Sequence, residues 1–222
     1  MKKLVLIALV LTSGMAVAQV TKKLGDFDEL KVFDRITVTL IPSGENKIEI
    51  KGRRTKDVEV VNNNGQLKVR MKFGKLLDGD DINATLYFTT LESVDASEGS
   101  MITSSTTFKQ SKMEATAKEG AQIELHLDVD KVEVKSVTGA IVRLAGRADN
   151  LEAKLGTGGI LEAKTLETSQ ADVSINAGGE AEVNASDLVD ADVKAGGNVT
   201  IYGHPKQINK NTTLGGTIEE SK

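Results

Sequence analysis

A short signature returns about every nineteen residues and limits what this chain can fold into. It reads apolar–acid–apolar–polar: Val94-Asp95-Ala96-Ser97, Met113-Glu114-Ala115-Thr116, Val132-Glu133-Val134-Lys135, Leu151-Glu152-Ala153-Lys154, Ala171-Asp172-Val173-Ser174 and Ala191-Asp192-Val193-Lys194. A glycine follows seven residues after the start in four units, at Gly120, Gly139, Gly158 and Gly178. In the first and last units it comes earlier, at Gly99 and Gly196. A fixed period of this length marks a repeat architecture, one small unit per repeat stacked on its neighbours.

Each unit reads as strand, bend, strand. A second apolar pair follows each bend, as in Val142 and Leu144 or Leu161 and Ala163, and a third short segment such as Thr165-Leu166 closes the turn. Glycine at the bend admits a positive φ that other residues resist. Stacked strands lie about 4.8 Å apart, so six coils rise about 29 Å. The expected fold is all-β, a parallel β-solenoid with repeats of about 19–20 residues and a narrow interior lined by Ala153, Ala163, Ala171, Ala181 and Ala191. An antiparallel sandwich is the competing architecture, since it also shows short strands and regular turns.

Upstream, the alternation is plain but the spacing is not. Ile36–Leu40, Lys47–Ile50, Asp57–Val60, Gln66–Met71 and Ala84–Phe88 alternate apolar and polar residues, as half-buried strands do. Pro42-Ser43-Gly44, Asn62-Asn63-Asn64-Gly65 and Asp78-Gly79-Asp80-Asp81 read as turns between them, the last as an Asp-Gly hairpin turn. No helix is expected after residue 18. The chain therefore divides into a leader (1–18), a less regular N-terminal β region (19–92), and solenoid repeats with a C-terminal cap (93–222). The irregular region would cover one end of the stack and the polar tail the other.

The leader is read from Lys2 and Lys3, the apolar run Leu4–Leu11 and the small-residue site Ala16-Val17-Ala18. That order is the pattern of a secretory signal peptide. It predicts an exported protein of the periplasm, cell surface or secreted space. Losing Lys2 and Lys3 takes the formal net charge from −4 to −6. An acidic surface argues against a nucleic-acid partner, which needs clustered Lys and Arg. No later stretch is long and apolar enough for a membrane helix. There is no cysteine, so cores and hydrogen-bond ladders must hold the fold.

The repeat supplies the candidate binding residues: Asp95, Glu114, Glu133, Glu152, Asp172 and Asp192. Stacked in register they would form an outward acidic row, with neighbouring charges repelling by about 0.9 kcal/mol in water. The plainer reading is a solvated face, its acids partly offset by lysines. The sharper one is a ligand- or cation-binding stripe, with calcium as the candidate ion. No other cofactor is expected. His126 alternates outward with Glu124 and Asp128 and could join them at a metal, although a lone exposed histidine is commoner. Nothing orders a nucleophilic triad: there is no cysteine and no Gly-x-Ser-x-Gly. Paired acids leave a carbohydrate-active enzyme on a solenoid as the alternative, but aromatics are only 3 %, with no tryptophan to stack on sugars.

The bends Thr138-Gly139-Ala140, Thr157-Gly158-Gly159, Ala177-Gly178-Gly179 and Ala195-Gly196-Gly197 each open a strand, and the run closes on Tyr202-Gly203-His204-Pro205 and Leu214-Gly215-Gly216-Thr217-Ile218. With Phe27–Val32 and Asn64–Val69, this texture resembles the exported bacterial family called the putative autotransporter adhesin head GIN domain. The family's Gly-Ala-Gly-like bend lacks one glycine here, as at Ala140 or Thr157. The resemblance implies a right-handed solenoid, export and a surface-binding role, with no catalytic residues to carry over. The expected function is a non-catalytic binding or structural module of the cell envelope, its partner a glycan or a surface or matrix protein. A periplasmic role in envelope sensing or assembly is a further alternative.

Overall fold

The structure, a computed structural model, describes residues 19–221. The leader expected over residues 1–18 lies outside the described residues. The rest is all-β, about seven stacked turns of a parallel β-solenoid. The sole helical element among the described residues is a single 3₁₀ turn, Thr55–Asp57.

Eight strands build the N-terminal part: β1 (Gln19–Lys23), β2 (Glu29–Val32), β3 (Thr37–Pro42), β4 (Lys47–Lys51), β5 (Val58–Asn63), β6 (Gln66–Met71), β7 (Asn83–Phe88) and β8 (Ser93–Ala96). Five long strands follow: β9 (Met101–Ala117), β10 (Gln122–Val137), β11 (Ile141–Gly156), β12 (Ile160–Ile175) and β13 (Gly179–Ala195). β14 (Gly197–Tyr202), β15 (Gln207–Leu214) and β16 (Thr217–Glu220) finish the stack. The long strands pair in parallel from β9 to β13, and each makes most of one coil. The expected third segment is thus no separate element: Thr165-Leu166 lies inside β12, which turns its corner at a register shift rather than a break. A bulge of this kind bends a strand while keeping its neighbours paired.

The glycine bends behave as expected. Thr138-Gly139 and Thr157-Gly158 have both residues at positive φ, the backbone of a tight primed turn. Alternation then sorts the side chains. In β10, Ile123, Leu125, Leu127, Val132 and Val134 are buried while Glu124 and His126 face water. All five core alanines named from the repeat are buried. The parallel ladders settle the architecture against the sandwich.

The N-terminal strands join the same sheet. β2 and β3 stack directly on β8 and β9, and β6 and β7 stack outside them, so chain order and spatial order differ. The outermost positions go to antiparallel additions, β1 on β4 on one flank and β5 on β6 on the other. Asn64-Gly65, both at positive φ, make the β5–β6 hairpin turn. Two expectations are corrected. Pro42 is the last residue of β3 rather than part of the turn that follows. Asp78-Gly79-Asp80-Asp81 is no hairpin turn, because β6 and β7 do not pair with one another; it belongs to the long connection 72–82 between them. Its three carboxylates face three arginines, Asp78 to Arg54 at 2.8 Å, Asp80 to Arg35 at 3.5 Å and Asp81 to Arg53 at 3.1 Å.

Candidate functional site

The acid row lies on the flank that precedes each glycine bend. In a parallel ladder, paired residues point the same way, so register decides which side chains meet. Glu114, Glu133, Glu152 and Asp172 are true register partners, each on the next coil. The two ends of the expected row are not. Asp95 pairs with Thr116 and Asp192 pairs with Ser174, which places both one row further along the strand. The residue that continues the row is Asp190, paired with Asp172 and followed by Asn209. The flank therefore carries one row Glu114–Glu133–Glu152–Asp172–Asp190 and a second that includes Asp95, Lys135, Lys154 and Asp192.

The two halves of this flank differ electrostatically. In the first half, lysines alternate with acids. Lys112 reaches Glu114 at 2.6 Å and Glu133 at 3.2 Å; Lys131 reaches Glu133 at 2.7 Å and Glu152 at 3.0 Å; Lys154 closes on Glu152 at 2.7 Å. Lys112 and Lys131 are register partners two residues before the acids, so each ammonium sits between two coils. Hydrogen bonds from Lys154 and Lys131 hold the Glu152 carboxyl at about 2, and Lys131 likewise lowers Glu133. Asp95 finds its own cation, Lys118 at 2.9 Å.

In the second half the cations run out. Asn150, Gln170 and Leu188 occupy the lysine row. Among the described residues no Lys, Arg or His lies within ion-pairing distance of Asp172, Asp190 or Asp192. Loss of water around Asp172, with repulsion from Asp190 and Glu152, pushes its carboxyl up. Asn211 donates to Asp192 at 3.1 Å and Asn209 to Asp190 at 3.5 Å.

The opposite corner, past the bend, holds an open groove of about 300 Å³ lined by Glu124, His126, Arg143, Glu162, Lys164 and Glu182. Arg143 donates to Glu162 at 2.8 Å and to Gln122 at 3.0 Å, and Lys164 lies 4.5 Å over the Tyr202 ring. Asp128 is engaged elsewhere, by Arg147 at 2.9 Å and Lys109 at 3.7 Å, so it does not join His126 and Glu124. Among the described residues no group of three or more His, Asp or Glu is placed to hold a metal ion.

These features define a parallel β-solenoid with laddered, charge-graded flanks. The chain belongs to the family described as "Putative auto-transporter adhesin, head GIN domain", whose model matches residues 26–205. No curated protein matches it in sequence. Its fold is similar to that of a putative adhesin from Bacteroides fragilis (18 % identity, TM-score 0.86, covering 94 % of this chain and 98 % of that one). It is also similar to a putative adhesin from Parabacteroides distasonis (17 %, TM-score 0.73, 92 % and 97 %) and to a putative lipid binding protein from the same organism (15 %, TM-score 0.70, 92 % and 96 %). At these identities the likeness is one of fold alone.

Proposed function

We propose that the protein is an exported, non-catalytic binding module of the cell envelope, adhesin-like, and that it engages a glycan or a surface or matrix protein through the acid-bearing flank. One observation carries this reading: Asp172 and Asp190, in one row on adjacent coils, and Asp192 in the next row have no ion-pair partner among the described residues, beside a stretch where the row of Asp172 is neutralised by lysine. Like charges left side by side repel one another, and a ligand that meets them with cations or hydrogen-bond donors would relieve that repulsion. Family membership supports the adhesin-like reading in its broad form. No leader, anchor or ligand is needed to make the flank, which the coil register alone builds.

The test is binding of a chain starting at Gln19 to arrays of glycans and matrix proteins, with and without calcium. Specific capture that weakens stepwise through Asp172→Asn, Asp190→Asn and Asp192→Asn is the expected result. Capture by none of them, from folded protein, overturns the binding role. Turnover of a polysaccharide abolished by one substitution would instead make the protein an enzyme.

A further inference from the structure

We propose that the connection 72–82 between β6 and β7 is a membrane-docking tip that sits on anionic phospholipid. Phe73 is 96 % exposed, Leu76 54 % and Leu77 43 %, and they lie within one six-residue stretch, Lys72-Phe73-Gly74-Lys75-Leu76-Leu77. Three of the five large apolar side chains exposed among the described residues are therefore gathered here. Scattered exposed hydrophobics need no explanation, but a contiguous apolar group rimmed by charge marks an interaction site.

The tip is built to hold these side chains out. Asp34, 1 % exposed, spans the base of the connection: its Oδ2 accepts from the Met71 amide at 2.9 Å and its Oδ1 from the Leu77 amide at 2.8 Å. Its carbonyl accepts from Gly79 at 3.1 Å. Within the tip the Lys75 amide donates to the Lys72 carbonyl and the Asp78 amide to that of Lys75. The ion pairs of Asp78, Asp80 and Asp81 with Arg54, Arg35 and Arg53 pin the far side. Asp34, Arg35 and Leu77 all have φ near +60°, a conformation that disfavours non-glycine residues and persists only where surroundings enforce it. Leu76 and Leu77 form one wall of an open groove of about 480 Å³ with Arg35, Glu98, Gly99 and Glu119, while Phe73 stands almost wholly in water.

Charge names the partner. Residues 51–82 carry eight Lys or Arg against five acids, in a chain of net charge −4, and Asp78, Asp80 and Asp81 are taken up by Arg54, Arg35 and Arg53, which leaves Lys72, Lys75 and Lys56 as the free charge around Phe73. Arg53, Arg54 and Arg70 are already paired. Lys72 and Lys75 flank Phe73, and the Lys72 ammonium donates to the Lys56 carbonyl at 2.6 Å, which draws Lys56 into the same patch. Apolar side chains with lysines beside them are the composition of a peripheral membrane anchor, in which the hydrocarbon enters the interface and the ammonium groups meet lipid phosphates. The 96 % exposed Phe73 ring, between Lys72 and Lys75, is the part of the tip that suits a bilayer interface. This docking is independent of whatever ligand the acid flank takes.

The experiment exploits the lack of tryptophan in the chain. A chain starting at Gln19 and carrying Phe73→Trp places the sole tryptophan at the tip. Its emission is followed on adding vesicles of phosphatidylglycerol and phosphatidylethanolamine, or of phosphatidylcholine alone, alongside co-sedimentation of the unsubstituted chain. Expected are a blue shift and sedimentation with the anionic vesicles only, weakening as salt rises. Phe73→Ser/Leu76→Ser and Lys72→Glu/Lys75→Glu should each lower binding by about tenfold or more, with unchanged circular dichroism, since every substituted side chain is solvent-facing. No sedimentation with anionic vesicles, equal binding to phosphatidylcholine, or binding that survives both double variants overturns the proposal. Capture of a soluble protein by the tip without vesicle binding would do the same.

Discussion

Lys210 Nζ lies 3.3 Å from Glu220 Oε1, and the pair closes the C-terminal end of the solenoid. Register shows what these two residues replace. Lys210 is the partner of Ala191 and Glu220 of Ile201, both buried core positions on the previous coil. The last coil thus carries an ion pair where the coil before it carries hydrocarbon, while Ile208 and Ile218 beside it still pack on the core. An inward charge at the edge of a sheet is a recognised way to stop another chain from adding to it.

Replacing both charges should therefore change assembly more than stability. Lys210→Val with Glu220→Val would extend the apolar interior to an open edge, and concentration-dependent oligomers are expected in sedimentation velocity. Lys210→Ala alone leaves Glu220 to block the edge and should stay monomeric. It should cost less than about 1 kcal/mol, because the pair is solvent-exposed. A double variant that remains monomeric at high concentration would remove the capping role.

Gly146 is one of the places where backbones of neighbouring coils press close. Its φ is +104°, and a Cβ there would stand 2.1 Å from the Leu127 carbonyl oxygen of the coil below. The three nearest atoms are all Leu127 backbone, which has no flexible end to yield. Gly146→Ala should destabilise by about 2 kcal/mol or more in chemical denaturation. Gly120→Ala makes the comparison, since it has a positive φ but open space around its Cβ, and should cost less.

Period, strand pattern and core alanines are legible in the sequence because hydrophobic alternation is a local signal. Row membership is not, because one register slip moves a side chain by a whole row. Val189-Asp190-Ala191-Asp192-Val193 offers two acids in the same alternation, and spacing near twenty favours Asp192 over Asp190. The glycine held the better clue. The residues seven before Gly99 and Gly196 are Glu92 and Val189, and Val189 is the register partner of Ala171 while Ser93 pairs with Glu114. The bend, which must stack on the bend below, fixes register more strictly than the acid does. The bridging role of Lys112 and Lys131 is hidden for a related reason: each pairs with the acid two residues on, which the chain shows, and also with an acid one coil away, which it does not. The tip 72–77 is equally hidden, since nothing along the chain distinguishes the exposed pair Leu76-Leu77 from an apolar pair of the core.

The Glu152 carboxyl, held at about 2 by Lys154 and Lys131, should be visible as an acid-resistant resonance in a pH titration followed by NMR. Its folded-state value lies below the ordinary carboxylate range. Its stabilising contribution is therefore full above about pH 4.5 and is lost as pH falls towards 2. Lys131→Met and Lys154→Met should each raise the midpoint, and the two together should return it to the ordinary range. The exposure of the pairs makes the accompanying stability change small.

Asp172 titrates in the opposite sense, and Asp190 is the neighbour that register puts beside it. Its folded-state value is raised above the unfolded one, so charging it opposes folding. The penalty is present at neutral pH and is relieved as pH falls through the raised value. Asp172→Asn should therefore stabilise the protein slightly at pH 7 and do nothing at pH 3. Asp190→Asn should lower the Asp172 midpoint towards the ordinary range, because it removes the largest like charge acting on it. Asp192→Asn should lower it less, since its charge contributes less than that of Asp190 or Glu152. NMR titration of the single Asp172 side chain in the three backgrounds distinguishes the two registers directly: an Asp192→Asn effect larger than that of Asp190→Asn would put the wrong aspartate in the row.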